Sequence, residues 1–68
     1  MNGTEIFNTI KNSRVALSSK GIARNMGIDA DSSDLQAIEH ECWELADAGV
    51  LIAYDRREEN QGLFFGEK

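Results

Sequence analysis

The sequence predicts a mainly helical α+β domain in which three helices are followed by a small antiparallel β hairpin. Three observations lead to this fold class: apolar residues recur at helical spacing over most of the chain, glycines stand where two helices should end, and two short strand-like runs follow. At 68 residues the chain is long enough for one domain only, which we place at residues 1–68. Its core is small, so a homodimer is one way to gain stability.

Two short helices are predicted in the N-terminal part of the chain. The first has Thr4 as its N-cap and ends near Asn12, whereas the second follows the N-cap Ser18 and ends at Gly27. The brief segment Val15–Leu17 between them is predicted to be extended. The inward positions are Ile6, Phe7 and Ile10 in the first helix and Ile22, Ala23 and Met26 in the second.

The third predicted helix is the longest and the most acidic. We expect Ser32 or Ser33 to cap it and Gly49 to end it. At about 100° per residue its core-facing side consists of Leu35, Ile38, Cys42, Leu45 and Ala46. The opposite side consists of Gln36, Ala37, His40, Glu44 and Asp47, and the flanks hold Glu39, Glu41 and Trp43.

A hairpin completes the predicted fold. Val50–Tyr54 alternates between apolar and other residues as a strand does, and Leu63–Phe65 is a second strand-like run. The segment DRREENQG between them is predicted to be a polar loop.

Charge is distributed unevenly along the chain, whose net charge is -5 and whose isoelectric point is near 4.6. Residues 1–28 carry four cations against one acid, and residues 29–54 carry seven acids and no cation. The remaining residues carry four acids against three cations. An acidic chain is atypical of proteins that bind nucleic acid, because carboxylates oppose attraction to phosphate.

Cellular location is expected to be cytoplasmic. Cys42 is the single cysteine, so no internal disulfide points to an oxidising compartment. No apolar run is long enough for a membrane span, and Met1–Ile10 lacks the basic and apolar regions of a signal peptide. We therefore expect no membrane partner.

Two segments carry a family resemblance that spans nearly the whole chain. LSSKGIARNMGI (residues 17–28), followed by LQAIEHECWELADAGVLIAYD (residues 35–55), resembles the winged helix-turn-helix family of transcriptional regulators, and most of all its small fimbrial-operon regulators. The matching positions of the second helix are Leu17, Ser18, Ile22, Ala23, Met26, Gly27 and Ile28. Those at the end of the third helix are Leu45, Ala48, Gly49 and Val50. The resemblance implies a three-helix winged helix-turn-helix domain with a β wing.

The resemblance also implies DNA as a partner. In the family the third helix enters the major groove and the wing touches the neighbouring backbone. By position, the groove-facing side chains are Ser33, Asp34, Gln36, Ala37 and His40, with Glu41 and Glu44 further along. Phosphate contacts are then expected from Lys20 and Arg24 in the second helix and from Arg56 and Arg57 in the wing, with Lys11 and Arg14 extending this rim. The binding is expected to be weak unless a dimer or a basic partner adds contacts.

The acidity of the third helix favours a different interpretation, in which the chain is a protein-interaction module for a basic surface on a nucleic-acid-binding partner. Its extreme form is an inhibitor that imitates DNA with carboxylates in place of phosphates. The residues of this predicted surface are Glu39, Glu41, Trp43, Glu44 and Asp47. The cations then form exposed ion pairs, such as Arg56 with Glu58 or Lys20 with a carboxylate of the third helix. Trp43 either seals the core against the wing or anchors a partner.

Catalytic and metal chemistry find little support in the sequence. HECWE (residues 40–44) is one residue short of the His-Glu-x-x-His zinc motif, and the chain has no other histidine. Cys42 is expected to be a small buried hydrophobe and His40 a solvated residue beside Glu44. One histidine and one cysteine do not supply a nucleophile, a base and an orienting group, so we expect no enzyme activity, no metal and no cofactor.

Overall fold

The computed structural model describes residues 2–68 and contains three helices and one hairpin. The elements are α1 (Gly3–Ser13), α2 (Ser19–Asn25), α3 (Ser32–Asp47), β1 (Leu51–Arg56), a single 3-10 turn η1 (Arg57–Glu59) and β2 (Gly62–Glu67). The mainly helical α+β class is therefore confirmed. None of the helices in the described part of the chain combines the length and apolarity needed to cross a bilayer.

The start of α1 differs from the prediction. Asn2, not Thr4, is the N-cap, and its side-chain oxygen accepts a hydrogen bond of 2.9 Å from the backbone N–H of Glu5. Asparagine is a better N-cap than threonine, which explains the earlier start. The helix also continues one residue beyond Asn12, to Ser13.

The start of α3 also differs, because Asp31 caps it instead of Ser32 or Ser33. The carboxylate of Asp31 accepts the N–H of Asp34 at 2.9 Å, and the carboxylate of Asp34 accepts the N–H of Asp31 at 3.2 Å. This reciprocal capping box satisfies a free backbone N–H at each of its two positions.

The predicted helix ends are confirmed at two glycines. Gly27 has a φ of +73° after α2, and Gly49 has a φ of +81° after α3. Ser18 caps α2 as predicted, since its hydroxyl accepts the N–H of Gly21 at 3.1 Å. These caps fix the lengths of the two helices that the resemblance singles out.

The hairpin is longer than predicted and reaches the helices through Leu17. β1 continues two residues beyond the predicted Tyr54, to Arg56, and β2 begins one residue before the predicted Leu63, at Gly62. Most of the predicted loop is therefore strand or 3-10 turn. Of the segment expected to be extended, Leu17 pairs with Phe65, through hydrogen bonds of 2.9 Å and 2.8 Å.

The core lies where α1, α2, α3 and the inner face of the hairpin meet. The fully buried side chains are Phe65, Ile6, Ile10, Ile22, Ile38 and Cys42. Leu35, Leu45 and Ala46 are half-buried against them, so the predicted apolar side of α3 is confirmed. Truncation of any one of these buried isoleucines to alanine is expected to lower the free energy of unfolding by about 2 to 5 kcal/mol.

Gly27→Ala is expected to destabilise the fold by about 1 to 2 kcal/mol, because alanine must adopt a positive φ there. A Cβ at this position meets no atom within 4 Å, so the cost is one of backbone conformation alone. Urea unfolding measures it. Gly21→Ala is the matched control: Gly21 lies inside α2, where alanine is favoured by up to about 1 kcal/mol. Equal effects of the two substitutions would contradict this interpretation.

Candidate nucleic-acid interface

The outward face of α3 is the surface that the resemblance assigns to base pairs, and all of it is exposed. Ser33 and Gln36 lie in its N-terminal half, and Glu44 and Asp47 lie in its C-terminal half. The buried Ile38 and Cys42 hold the opposite side of the helix in the core. Outward-facing acids are therefore concentrated in its second half, and the half-buried Asp34 adds a carboxylate to the first turn.

His40 lies between these two halves and turns towards the acidic one. Its Nε2 atom is 3.2 Å from a carboxylate oxygen of Glu44, one helical turn further on, and both side chains are mostly exposed. An exposed pair at this spacing contributes well under 1 kcal/mol to stability. The position beside Glu44 agrees with the sequence analysis.

The cations of α2 lie beside the start of α3. Lys20 and Arg24 are exposed and line a groove of about 280 Å³, whose floor includes Ile28, Ala30 and Leu35. Because Leu35 belongs to the first turns of α3, the groove places both cations beside the N-terminal half of that helix. The predicted pair between Lys20 and a carboxylate of α3 is wrong, since neither Lys20 nor Arg24 forms an ion pair within residues 2–68.

The arginines at the tip of the hairpin, the wing of the family resemblance, form ion pairs with acids of the same loop. The guanidinium of Arg57 donates two hydrogen bonds, of 2.7 Å and 2.9 Å, to the carboxylate of Asp55. Arg56 lies 3.1 Å from Glu59, which corrects the predicted pairing with Glu58, because the 3-10 turn brings the residue three positions on into reach. Carboxylates of the loop therefore already balance the charges of both wing arginines.

Arg57 lowers the pKa of Asp55 to about 2, mainly through its side-chain hydrogen bonds and also through its backbone N–H and its charge. The same contact raises the pKa of Arg57 above its ordinary value. Both side chains are exposed and screened by water, so the pair orders the loop more than it stabilises the fold. Asp55 consequently stays ionised over the whole physiological range of pH.

The predicted partner surface is divided among three sides of α3. Glu44 and Asp47 face outward, whereas Glu39 and Trp43 share the flank nearer the wing. Glu41 lies on the other flank, where its carboxylate would stand 3.3 Å from a Cβ placed on Gly3 at the start of α1. An acid at a helix N-terminus is favoured by the helix dipole.

Trp43 contacts the core rather than projecting away from it. Its ring meets Phe65 edge-to-face, with the ring centroids 5.3 Å apart and the planes at 88°. Such a contact adds about 0.5 to 1.5 kcal/mol to the burial of the two rings. Of the two interpretations of Trp43, sealing the core against the wing is the one that this contact supports.

Lys11 and Arg14 lie apart from the other cations. They line a separate groove of about 440 Å³ between the end of α1 and the hairpin, together with Val15, Tyr54 and Gly66. The expectation that they extend the rim formed by Lys20 and Arg24 is therefore not met by the geometry. The four cations lie close together along the sequence, which does not show which end of α1 the hairpin covers. That contact separates Lys11 and Arg14 from Lys20 and Arg24.

Cys42 is fully buried and free of any disulfide. Burial, together with the nearby carboxylates of Glu39 and Glu41, raises the pKa of its thiol to about 12. The thiol thus packs as a small hydrophobe, as predicted. Within residues 2–68 no three His, Cys, Asp or Glu side chains converge on a point where a metal ion could sit.

Comparisons of the chain with protein-family models, with curated proteins and with solved structures gave no match.

Cys42 is expected to resist alkylation by iodoacetamide at pH 8 in the folded protein and to react at the rate of a free thiol in urea, because only the thiolate is the nucleophile. The folded pKa of about 12 exceeds the ordinary thiol pKa of 9.0, so the stabilisation from the neutral thiol is complete below pH 9 and lost as the pH rises towards 12. Mass spectrometry of the alkylated fraction measures the first effect, and urea unfolding at pH 8 and pH 11 measures the second. Rapid alkylation without denaturant would contradict this assignment.

Proposed function

We propose that this chain is a small DNA-binding regulator that contacts the major groove with the N-terminal half of α3. The observation that carries the proposal is the position of Lys20 and Arg24, which line a groove with Leu35 in the first turns of α3 and have no acid partner in residues 2–68. The order of helices and strands and the glycine-terminated helices support the same function through the family resemblance.

Recognition helices of this architecture use their N-terminal residues on base edges. Gln36 has the donor and acceptor needed to contact an adenine edge, and the hydroxyl of Ser33 can contact either a base or a phosphate. Lys20 and Arg24 then bind phosphates that flank the groove, and this contact sets the register of the protein without reading sequence.

The acidic half of α3 limits the affinity. Glu44 and Asp47 approach the backbone further along the groove and repel it, and the wing cations must leave Asp55 and Glu59 before they can bind phosphate. We therefore expect weak binding by a single chain. Useful affinity requires a second site on the DNA, a second copy or a basic partner.

A second function is favoured by one observation, the exposure of Glu44 and Asp47 on a face of α3 that carries no lysine or arginine. In this alternative the C-terminal half of α3 docks on a basic surface of a nucleic-acid-binding protein, where complementary potentials accelerate association and select the partner. Carboxylates that take the place of phosphates would make the chain an inhibitor of that protein.

The double substitution Lys20→Gln with Arg24→Gln is expected to weaken binding to duplex DNA and to reduce the slope of log K against log salt by about 2, one for each lost phosphate contact. Fluorescence anisotropy with a labelled duplex, titrated from low to physiological salt, measures both quantities. Lys11→Gln with Arg14→Gln is the matched control, because it removes the same charges from the other groove. Equal effects of the two pairs, or no measurable binding by the wild type at low salt, would refute the DNA proposal.

The double substitution Glu44→Gln with Asp47→Asn separates the two functions. A DNA-binding chain should gain about twofold in affinity for each neutralised carboxylate that lies about 10 Å from a phosphate in water. An acidic docking surface should instead lose its basic partner. The measurement is the same anisotropy titration, accompanied by binding to an immobilised basic protein such as a histone. Glu5→Gln with Glu67→Gln is the control, since it changes the net charge equally outside α3.

A further inference from the structure

Strand β1 has one edge that no other strand of residues 2–68 covers. The sheet consists of β1 and β2, and Leu17 adds a single bridge on the far side of β2, at Phe65. Such an edge is a template for another strand. Lysine and proline, which commonly protect edges, are absent from Leu51–Arg56.

The hydrogen bonds of Phe65 reveal which groups of β1 point to this free edge. Its N–H and C=O are both bonded to Leu17, so they point away from β1. Ala53 lies directly opposite Phe65, which makes the two a non-hydrogen-bonded pair. The N–H and C=O of Ala53 must therefore point outward, and the period of two gives the same direction to Leu51 and Asp55.

The outer face of the hairpin beside this edge is apolar and exposed. Ile52 and Tyr54 are 38% and 45% exposed, and Val50 at the start of the strand is 36% exposed. The ring of Tyr54 lies over Gly66, where a Cβ would stand only 3.1 Å from it, and Val15 is exposed across the adjoining groove. The large exposed hydrophobic side chains of residues 2–68 thus gather on this side of the molecule.

We propose that two copies of the chain associate through their β1 strands, antiparallel and with Ala53 on the two-fold axis. In this register Leu51 of one copy lies opposite Asp55 of the other, so that all three outward-pointing residues of each strand both donate and accept hydrogen bonds. Any other two-fold register leaves some of these groups unpaired. The same register sets Ile52 opposite Tyr54 of the second copy in a close non-hydrogen-bonded pair on the apolar face.

Charge at the two ends of the strand favours a second copy as the occupant. The amino group of Lys68 lies beside Gly49, just before β1, and forms no ion pair within residues 2–68. Glu58 follows the other end of the strand and is exposed and likewise without a pair there. Antiparallel association brings opposite ends together, so each Lys68 approaches the Glu58 side of the other copy. The interface uses neither the outward face of α3 nor the cations of α2, so both remain exposed in the proposed dimer.

Sedimentation velocity over a range of protein concentrations tests the association. The average mass should rise with concentration from 7.5 kDa towards twice that value. Ala53→Pro should abolish the rise while the far-UV circular dichroism stays unchanged, because the lost N–H is not bonded to β2. Ile52→Lys should also abolish it, whereas Asn8→Lys, an equal charge change on the exposed side of α1, should not. A constant mass of one chain at every concentration would overturn the proposal, as would association that survives both β1 substitutions.

Disulfide trapping tests the register. Ile52→Cys and Tyr54→Cys proteins are mixed in equal amounts and oxidised, while the buried Cys42 stays unreactive. The mixed dimer, separated by mass spectrometry, should exceed each of the two self-linked dimers severalfold, because Ile52 faces Tyr54 of the second copy. A predominance of dimers linked through two identical positions would overturn the proposed pairing.

Discussion

Phe65 connects three parts of this small fold, namely the segment before α2, strand β1 and helix α3. Its backbone bonds to Leu17 between the first two helices, its partner across the hairpin is Ala53, and its buried ring receives the edge-to-face contact of Trp43 from α3. A two-stranded hairpin alone is marginally stable in water, so these contacts are what make the wing a fixed element. Phe65 thus helps to place the wing against α3, together with the other buried residues of the hairpin.

With that frame fixed, the chain separates its charges instead of mixing them. Lys20 and Arg24 line a groove beside the first half of α3, outward-facing acids occupy its second half, and each wing arginine is held by an acid of its own loop. The N-terminal end of the helix is therefore expected to attract a polyanion more strongly than its C-terminal end does. The same separation underlies both proposed functions, and the charge substitutions in α3 distinguish them by the sign of their effect.

Much of the fold follows from local patterns, which is why the sequence predicts it well. The buried side of α3 and the stops at Gly27 and Gly49 depend on helical spacing and on a positive φ, both of which are properties of single segments. The cap at Asp31 was missed because Asp31, Ser32 and Ser33 stand in a row and aspartate and serine are about equally good caps, so the local pattern does not choose between them. The separation of Lys11 from Lys20 was also missed, because it depends on how the hairpin packs against α1, which the spacing of residues does not encode.

The two ion pairs of the wing make the charge of this loop adjustable at very low cost to the fold. Asp55 and Glu59 are exposed, and neither contributes a side chain to the core. Exchange of either for an uncharged residue would release one guanidinium and change the net charge of residues 55–59 from -1 to 0, with the packing beneath the loop intact. Exchange of both would make the loop cationic, so a lineage of such chains could pass from repelling to attracting polyanions through two substitutions at the tip of the hairpin.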